Sequence, residues 1–257
     1  NSNTPEILLS NSSHAFGDLC QGGNTSFRVV ITNQGSGVLN ITGISVLAPF
    51  SSSYTGTIAP GATDTATIVY NAAEVTPATY NRTATFNING EFSGVNTMTL
   101  SGSVILPSQS IFETFETTAV NQIPTGWNKY RTTNPNELYN DVVVKVGTQY
   151  EYVSPTHTLK FLNANDSISF LGIVLPGVTN FSTHELSFWA TKGGDDATAI
   201  IVGLSPDPYS SEGFEAVQTV NLTNTLTKYT VSFDAGNSKP YIVLAHNNNR
   251  QWRSIYV

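Results

Sequence analysis

Apolar and polar residues alternate along most of this 257-residue chain, and a two-residue period is the signature of a strand with one buried face. Phe27 to Thr32 is a β-branched run closed by the turn cluster Asn33-Gln34-Gly35-Ser36-Gly37. Val38 to Thr42 resumes the pattern, and Ala66 to Tyr70 alternates after the turn Ala59-Pro60-Gly61-Ala62. Ala84 to Ile88 sets apolar residues on one face and Thr or Asn on the other. Asn89-Gly90 predicts a hairpin, and Met98 to Val104 closes the set. About seven short strands in about 100 residues describe an immunoglobulin-like sandwich.

Leu106-Pro107-Ser108-Gln109-Ser110 reads as a linker, because proline cannot join a central ladder. A longer block follows. Strands are expected at Val142 to Val146, Leu159 to Leu162, Ile168 to Leu171, Glu185 to Ala190, Thr198 to Leu204, Val217 to Leu222, Tyr229 to Phe233 and Tyr241 to Ala245. In Leu186-Ser187-Phe188-Trp189-Ala190 the first, third and fifth residues share a face, so Trp189 points away from Phe188. About nine strands over about 145 residues point to a jelly roll. The expected fold is therefore all-β, two tandem sandwiches, with domains at residues 1–106 and 107–257. The blocks are not repeats of one another, and no solenoid period appears. The apolar stretch Ser254-Ile255-Tyr256-Val257 stops mid-pattern, which leads us to expect a jelly-roll module truncated at its C-terminus.

Composition narrows the function classes. Charged residues make up only 11% of the chain and the formal net charge is -7. Soluble domains usually carry about 25% charged residues, so Ser, Thr, Asn and Gln supply the polar surface here. An acidic surface does not suit nucleic acid, which needs a basic patch, nor an anionic membrane. No apolar run approaches the ~20 residues of a membrane span. The lone Cys20 cannot form an internal disulfide and reads as a small buried hydrophobe.

The block before the linker resembles the bacterial choice-of-anchor D module, related to ASH and MSP-type sandwiches. The resemblance rests on Phe16-Gly17, Ile31-Thr32-Asn33-Gln34-Gly35, Leu39-Asn40-Ile41-Thr42, Ile58-Ala59-Pro60-Gly61 and Leu100-Ser101-Gly102. The block after the linker resembles the choice-of-anchor J or cleaved-adhesin module, a relative of MAM-like jelly rolls. That resemblance rests on Phe115-Glu116, Pro124-Thr125-Gly126-Trp127, Leu186-Ser187-Phe188-Trp189, Tyr241-Ile242-Val243 and the stretch from Arg253 to Val257. Such modules sit in secreted and surface proteins of Bacteroidota-type bacteria. The resemblance implies a secreted or cell-surface location, adhesion, glycan or protein binding, and a structural calcium.

Calcium takes several carboxylate and carbonyl oxygens, and Glu116 beside the first strand of a jelly roll is the leading ligand candidate, with Asp166 and Asp141 behind it. Trp252, in the polar stretch with Arg250, and Trp189 are the candidates for stacking on a sugar face or packing on a partner. Paired carboxylates exist at Glu113 and Glu116 and at Asp195 and Asp196, but sequence cannot place them across a substrate. The four histidines show no metalloprotease spacing, and there is no Gly-x-Ser-x-Gly elbow. The expectation is a non-catalytic binding or adhesion segment of a larger protein. The alternatives are a purely architectural spacer and a glycan-active hydrolase with its site in the second domain. Oligomeric state is not legible.

Overall fold

A sheet is stable only where one of its faces is buried, so strands with one apolar face stack in pairs of sheets. The computed structural model describes residues 3–73, 75–108, 110–131, 141–147, 156–163, 171–178, 181, 184–193, 199–234, 236–246 and 253–257. These contain strands and turns and no helix. The chain divides into two compact units, Asn1–Leu106 and Pro107–Val257. Each holds two five-stranded sheets.

The first unit comprises β1 (Glu6–Leu9), β2 (Ser13–Cys20), β3 (Asn24–Asn33), β4 (Leu39–Ser45), β5 (Phe50–Ser51), β6 (Gly56–Ile58), β7 (Thr63–Asn71), β8 (Ala78–Ile88), β9 (Ser93–Gly94) and β10 (Thr97–Ile105). The sheets run β5-β7-β3-β1-β9 and β2-β10-β8-β4-β6. The chain begins in one sheet, where β1 pairs antiparallel with β3, then crosses so that β2 runs parallel to β10. This is an immunoglobulin-like arrangement. Ile31, Leu39, Ile68, Tyr70, Phe86 and Leu100 fill its core, and the free Cys20 is buried beside them.

Sequence reasoning missed β1 and β2. A register shift in β2 opposite Ser101 and Ser103 interrupts the two-residue period there. The Asn89-Gly90 turn is also longer than a two-residue hairpin. The Phe86 amide donates to the Asn96 carbonyl at 2.8 Å, and the loop between carries β9 across to pair with β1. Gly90 does adopt the left-handed backbone, with φ of 97°.

One buried polar side chain stitches this unit. Asn33 is 0% exposed. Its Nδ2 donates to the carbonyls of Gly37 at 2.7 Å and Ile58 at 3.0 Å, and its Oδ1 accepts from the amides of Glu6 at 3.2 Å and Gly35 at 3.1 Å. Four backbone groups from three segments are thereby satisfied by one amide. Gly35 is required beside it, because a Cβ there would lie 2.4 Å from the Thr4 carbonyl oxygen.

The second unit comprises β11 (Asn128–Arg131), β12 (Asp141–Val146), β13 (His157–Asn163), β14 (Leu171–Val174), β15 (Glu185–Gly193), β16 (Ala199–Ser205), β17 (Glu215–Asn221), β18 (Thr227–Ser232), β19 (Tyr241–His246) and β20 (Arg253–Tyr256). The pairing is nested. β13 pairs with β20, β14 with β19, β15 with β18 and β16 with β17, all antiparallel. Folding that long double ribbon over brings β20 against β15 and β19 against β16. The result is a jelly roll, with β12 and β11 added at the outer edges of its two sheets. Phe161, Ile173, Phe188, Ile200, Val202 and Ile255 are among the residues of its core. Of the strand expected at Ile168 to Leu171 only Leu171 is described, as the first residue of β14, which runs on to Val174; 168–170 lie outside the described residues. All four β14 residues are buried, so no alternation marked its extent. Ser108, expected in a linker, instead donates its amide to the Gly177 carbonyl at 2.6 Å and bridges Val178.

Replacing Asn33 with Ala leaves two buried carbonyls and two amides without their partner. We expect Asn33→Ala to destabilise the first unit by about 3 kcal/mol, seen as a lowered urea midpoint in its unfolding transition, with the transition of the second unit unmoved.

Candidate functional site

The chain enters the jelly roll through Ser110 to Glu116, and the end of this segment is held by hydrogen bonds. Phe115 sits at φ of 66°, uncommon for a residue with a side chain. Its amide is held by the Glu113 carboxylate, and its ring is buried edge-on to Trp127 at 6.0 Å. The turn delivers Glu116 to the start of β13. There Oε1 accepts from the amides of His157 at 2.7 Å and Thr156 at 3.0 Å. Oε2 accepts from the Thr156 hydroxyl at 3.1 Å and lies 2.9 Å from His157 Nδ1. The same Nδ1 lies 2.9 Å from the Thr156 hydroxyl, so carboxylate, hydroxyl and imidazole form one cluster. The amide of His157, then that of Thr156, favour the charged carboxylate and hold its pKa at about 2.

This geometry bears on calcium. Both Glu116 oxygens are engaged by protein donors, and a metal there would have to displace them. Among the described residues no three His, Cys, Asp or Glu side chains converge on a point. Asp141 opens β12 opposite Leu162, but its carboxylate, like the whole of Asp166, lies outside what the structure describes. Trp252, Arg250, Asp195 and Asp196 also lie outside the described residues.

Trp189 is described, and it stands on the outer face of the sheet. Phe188 is 8% exposed and Trp189 43%. Directly across on β18 lies Lys228, and two residues along, Ser187 faces Thr230 with their hydroxyls 3.2 Å apart. Farther along the strand Thr191 is buried, its hydroxyl donating to the Thr223 carbonyl at 3.1 Å, and the Lys160 ammonium lies 4.8 Å from the Tyr256 ring. The indole is thus set beside the Ser187 and Thr230 hydroxyls and Lys228.

Next to this face a cleft of about 550 Å³ runs inward to the space between the sheets. Its floor is apolar and includes Leu175, Val178, Ile242 and Leu244. At its mouth stands Phe112, 93% exposed. No sequence signal pointed to this cleft, because its walls come from chain segments more than 100 residues apart.

A last polar group is sealed inside. His246 is 1% exposed, and neither ring nitrogen has a hydrogen-bond partner within 3.5 Å among the described residues. Burial pushes its pKa down to about 4, and the Ala199 backbone opposes the shift without cancelling it.

No protein-family model matches the chain, and no curated protein matches it. Among solved structures, it is similar to a protein of unknown function from Porphyromonas gingivalis, at 18% identity and a TM-score of 0.34. That match covers 40% of this chain and 48% of the other, less than half its length. A two-domain protein of unknown function from Bacteroides fragilis is 9% identical, with a TM-score of 0.36, and the match covers 100% of this chain and 95% of that one. The ASH / PapD-like domain 7 of human CEP192 is 14% identical, with a TM-score of 0.36, over 42% of this chain and 91% of that domain. Likenesses this distant carry no argument about what this chain does. The choice-of-anchor resemblance rests on the quoted residues alone.

Two pH effects of the same sign follow, because both folded pKa values lie below the ordinary ones and both make the fold lose stability in acid. The folded pKa of Glu116 is depressed, so its contribution to stability is present above the ordinary carboxylate pKa and is lost as pH falls through about 2. Glu116→Gln should lower Tm at neutral pH, and the difference from the parent should close in strong acid. The folded pKa of His246 lies below its ordinary 6.5. Its neutral form is therefore no burden above that value, and protonation favours the unfolded chain progressively as pH falls toward about 4. His246→Leu should flatten the acid side of the stability profile by about 3 kcal/mol, measured by urea unfolding from neutral pH to below 4.

Proposed function

We propose that this chain is a non-catalytic binding segment of a secreted or cell-surface protein, and that its ligand, a glycan, rests on the outer face of β15 and β18 around Trp189. The observation that carries this reading is the exposure of Trp189 on a flat, hydrogen-bonding strand face, with Lys228 directly opposite it. A flat indole covers the apolar face of a pyranose, as it stacks on other rings. The hydroxyls and amine beside it suit the equatorial hydroxyls around that face. Uncharged donors and acceptors dominate the surface, which fits a neutral ligand better than a charged polymer.

The carboxylates described do not favour hydrolysis. Glu113 is turned back on the Phe115 amide and Glu116 is engaged at the start of β13, so neither is offered in a pair across a substrate.

The experiment is a glycan array probed with the whole chain, followed by titration of any hit against Trp189→Ala. Selective binding is expected, with affinity falling at least about tenfold in the variant, on the scale of roughly 1–3 kcal/mol that stacking on an aromatic ring is worth for a nucleobase. A folded chain that binds no glycan would instead support the architectural spacer. Binding that Trp189→Ala leaves intact would move the site away from this face.

A further inference from the structure

Asparagine followed by a small residue is chemically labile unless the fold holds it. The main-chain amide of the next residue can attack the side-chain carbonyl carbon and close a five-membered ring. Glycine favours this most, since it puts no Cβ beside the attacking nitrogen. Among the described residues Asn11 and Asn237 precede Ser, and Asn89 precedes Gly. The first two side chains are tied. Asn237 Nδ2 donates to the Lys239 carbonyl at 2.8 Å, and its Oδ1 accepts from the Lys239 amide at 3.3 Å. Asn11 Oδ1 accepts from the Ser10 hydroxyl at 2.7 Å.

Asn89 differs. It is exposed in the turn after β8, and its own amide donates to the Asn40 carbonyl at 3.0 Å. Neither its side chain nor the Gly90 amide has a hydrogen-bond partner among the described residues. At Gly90 a Cβ would meet nothing within 4 Å, so the nitrogen that attacks stands in open space. The loop then runs into β9, which pairs with β1 through two residues only, Ser93 and Gly94. The Ser93 amide donates to the Pro5 carbonyl at 3.0 Å. Gly94 lies so close to β1 that a Cβ there would stand 2.2 Å from the Ile7 carbonyl oxygen. A contact this short and this close has little slack for a change in the loop that leads to it.

We propose that Asn89-Gly90 is a site of spontaneous conversion to isoaspartate, and that the conversion loosens β9 from β1. Hydroxide takes the Gly90 amide proton, and the nitrogen forms a bond to Asn89 Cγ. The bond from Cγ to Nδ2 breaks, and Nδ2 leaves as ammonia with a proton from water. Water then adds to one of the two ring carbonyls. Opening at the main-chain carbonyl gives isoaspartate, whose main chain runs through Cβ and is one atom longer. Opening at Cγ gives aspartate. The net change consumes water, releases ammonia and needs no oxidant or reductant. It adds a negative charge to a chain whose formal net charge is -7. The extra main-chain atom falls between two fixed points, the bond from Asn89 to Asn40 and the bond from Phe86 to Asn96, so the loop carries it into β9. The proposal is independent of the glycan reading, because it concerns the first unit.

The test incubates the full folded chain at mildly alkaline pH in heavy-oxygen water and maps it by mass spectrometry, beside free peptides of residues 86–92 and 234–240. The proposal expects Asn89 to convert no more than about threefold slower in the folded chain than in its peptide, while Asn237 is slowed at least about tenfold by folding, a barrier difference of about 1.4 kcal/mol. The product at position 89 should be mostly isoaspartate and carry heavy oxygen. Asn89→Gln, which would have to close a six-membered ring, should stay unmodified over the same time. In the converted chain, exchange at the Ser93 amide should speed up at least about fivefold. A folded chain in which Asn89 is slowed as much as Asn237 would overturn the site. A converted chain whose Ser93 amide exchanges as before would overturn the effect on β9. Glycan binding is not read in this experiment, so its outcome leaves the Trp189 reading to stand or fall separately.

Discussion

The second unit depends on the way β15 divides its pairing. One strand cannot be hydrogen-bonded to β18 and β20 over its full length when β20 meets it only from Thr191 onward. That division joins the last strand to the middle of the sheet, closes the nested double ribbon into a sandwich, and sets Trp189 outward where the indole has room. It also leaves an edge and an apolar floor next to one another. In a sandwich whose core holds Phe161, Phe188 and Ile255 together, the geometry of that one ladder decides both what is buried and what is offered.

Polar side chains, and not charge, organise the rest. With so few ionic groups in the chain, loops and strand ends are pinned by neutral or singly charged hydrogen-bonding hubs. Asn33 ties four backbone groups in the first unit, and Glu116 ties four donors at the entrance of the second. Each hub replaces several weak surface contacts by one side chain whose bonds are mutually supporting. Glu116, the carboxylate that sequence reasoning marked as a metal ligand, accepts from both backbone amides and the Thr156 hydroxyl at the start of β13.

Much of the architecture was legible in the sequence, and the gaps have physical causes. β3, β7, β8, β10, β15 and β18 have one buried and one solvated face, so alternation announced them. β14 is buried on both faces and β2 carries a register shift. A two-residue period cannot report either. The opposite placement of Phe188 and Trp189 was readable, because it follows from the period alone. Which of the two would stay in water was not, since that depends on the sheet stacked beneath. The Glu116 hub was invisible because Thr156 and His157 lie some forty residues away in sequence, and the orphaned nitrogens of His246 are a property of its surroundings, not of its neighbours in the chain.

The outer face and the open edge of β15 make different demands, which is why they are separable. A face offers side chains and selects by shape and hydroxyl pattern, so a single indole can decide affinity there. An edge offers backbone and selects by register, so its occupant is defined by alternation and hardly by identity. Trp189 belongs to the face, and the peptide groups of the same residue belong to the edge.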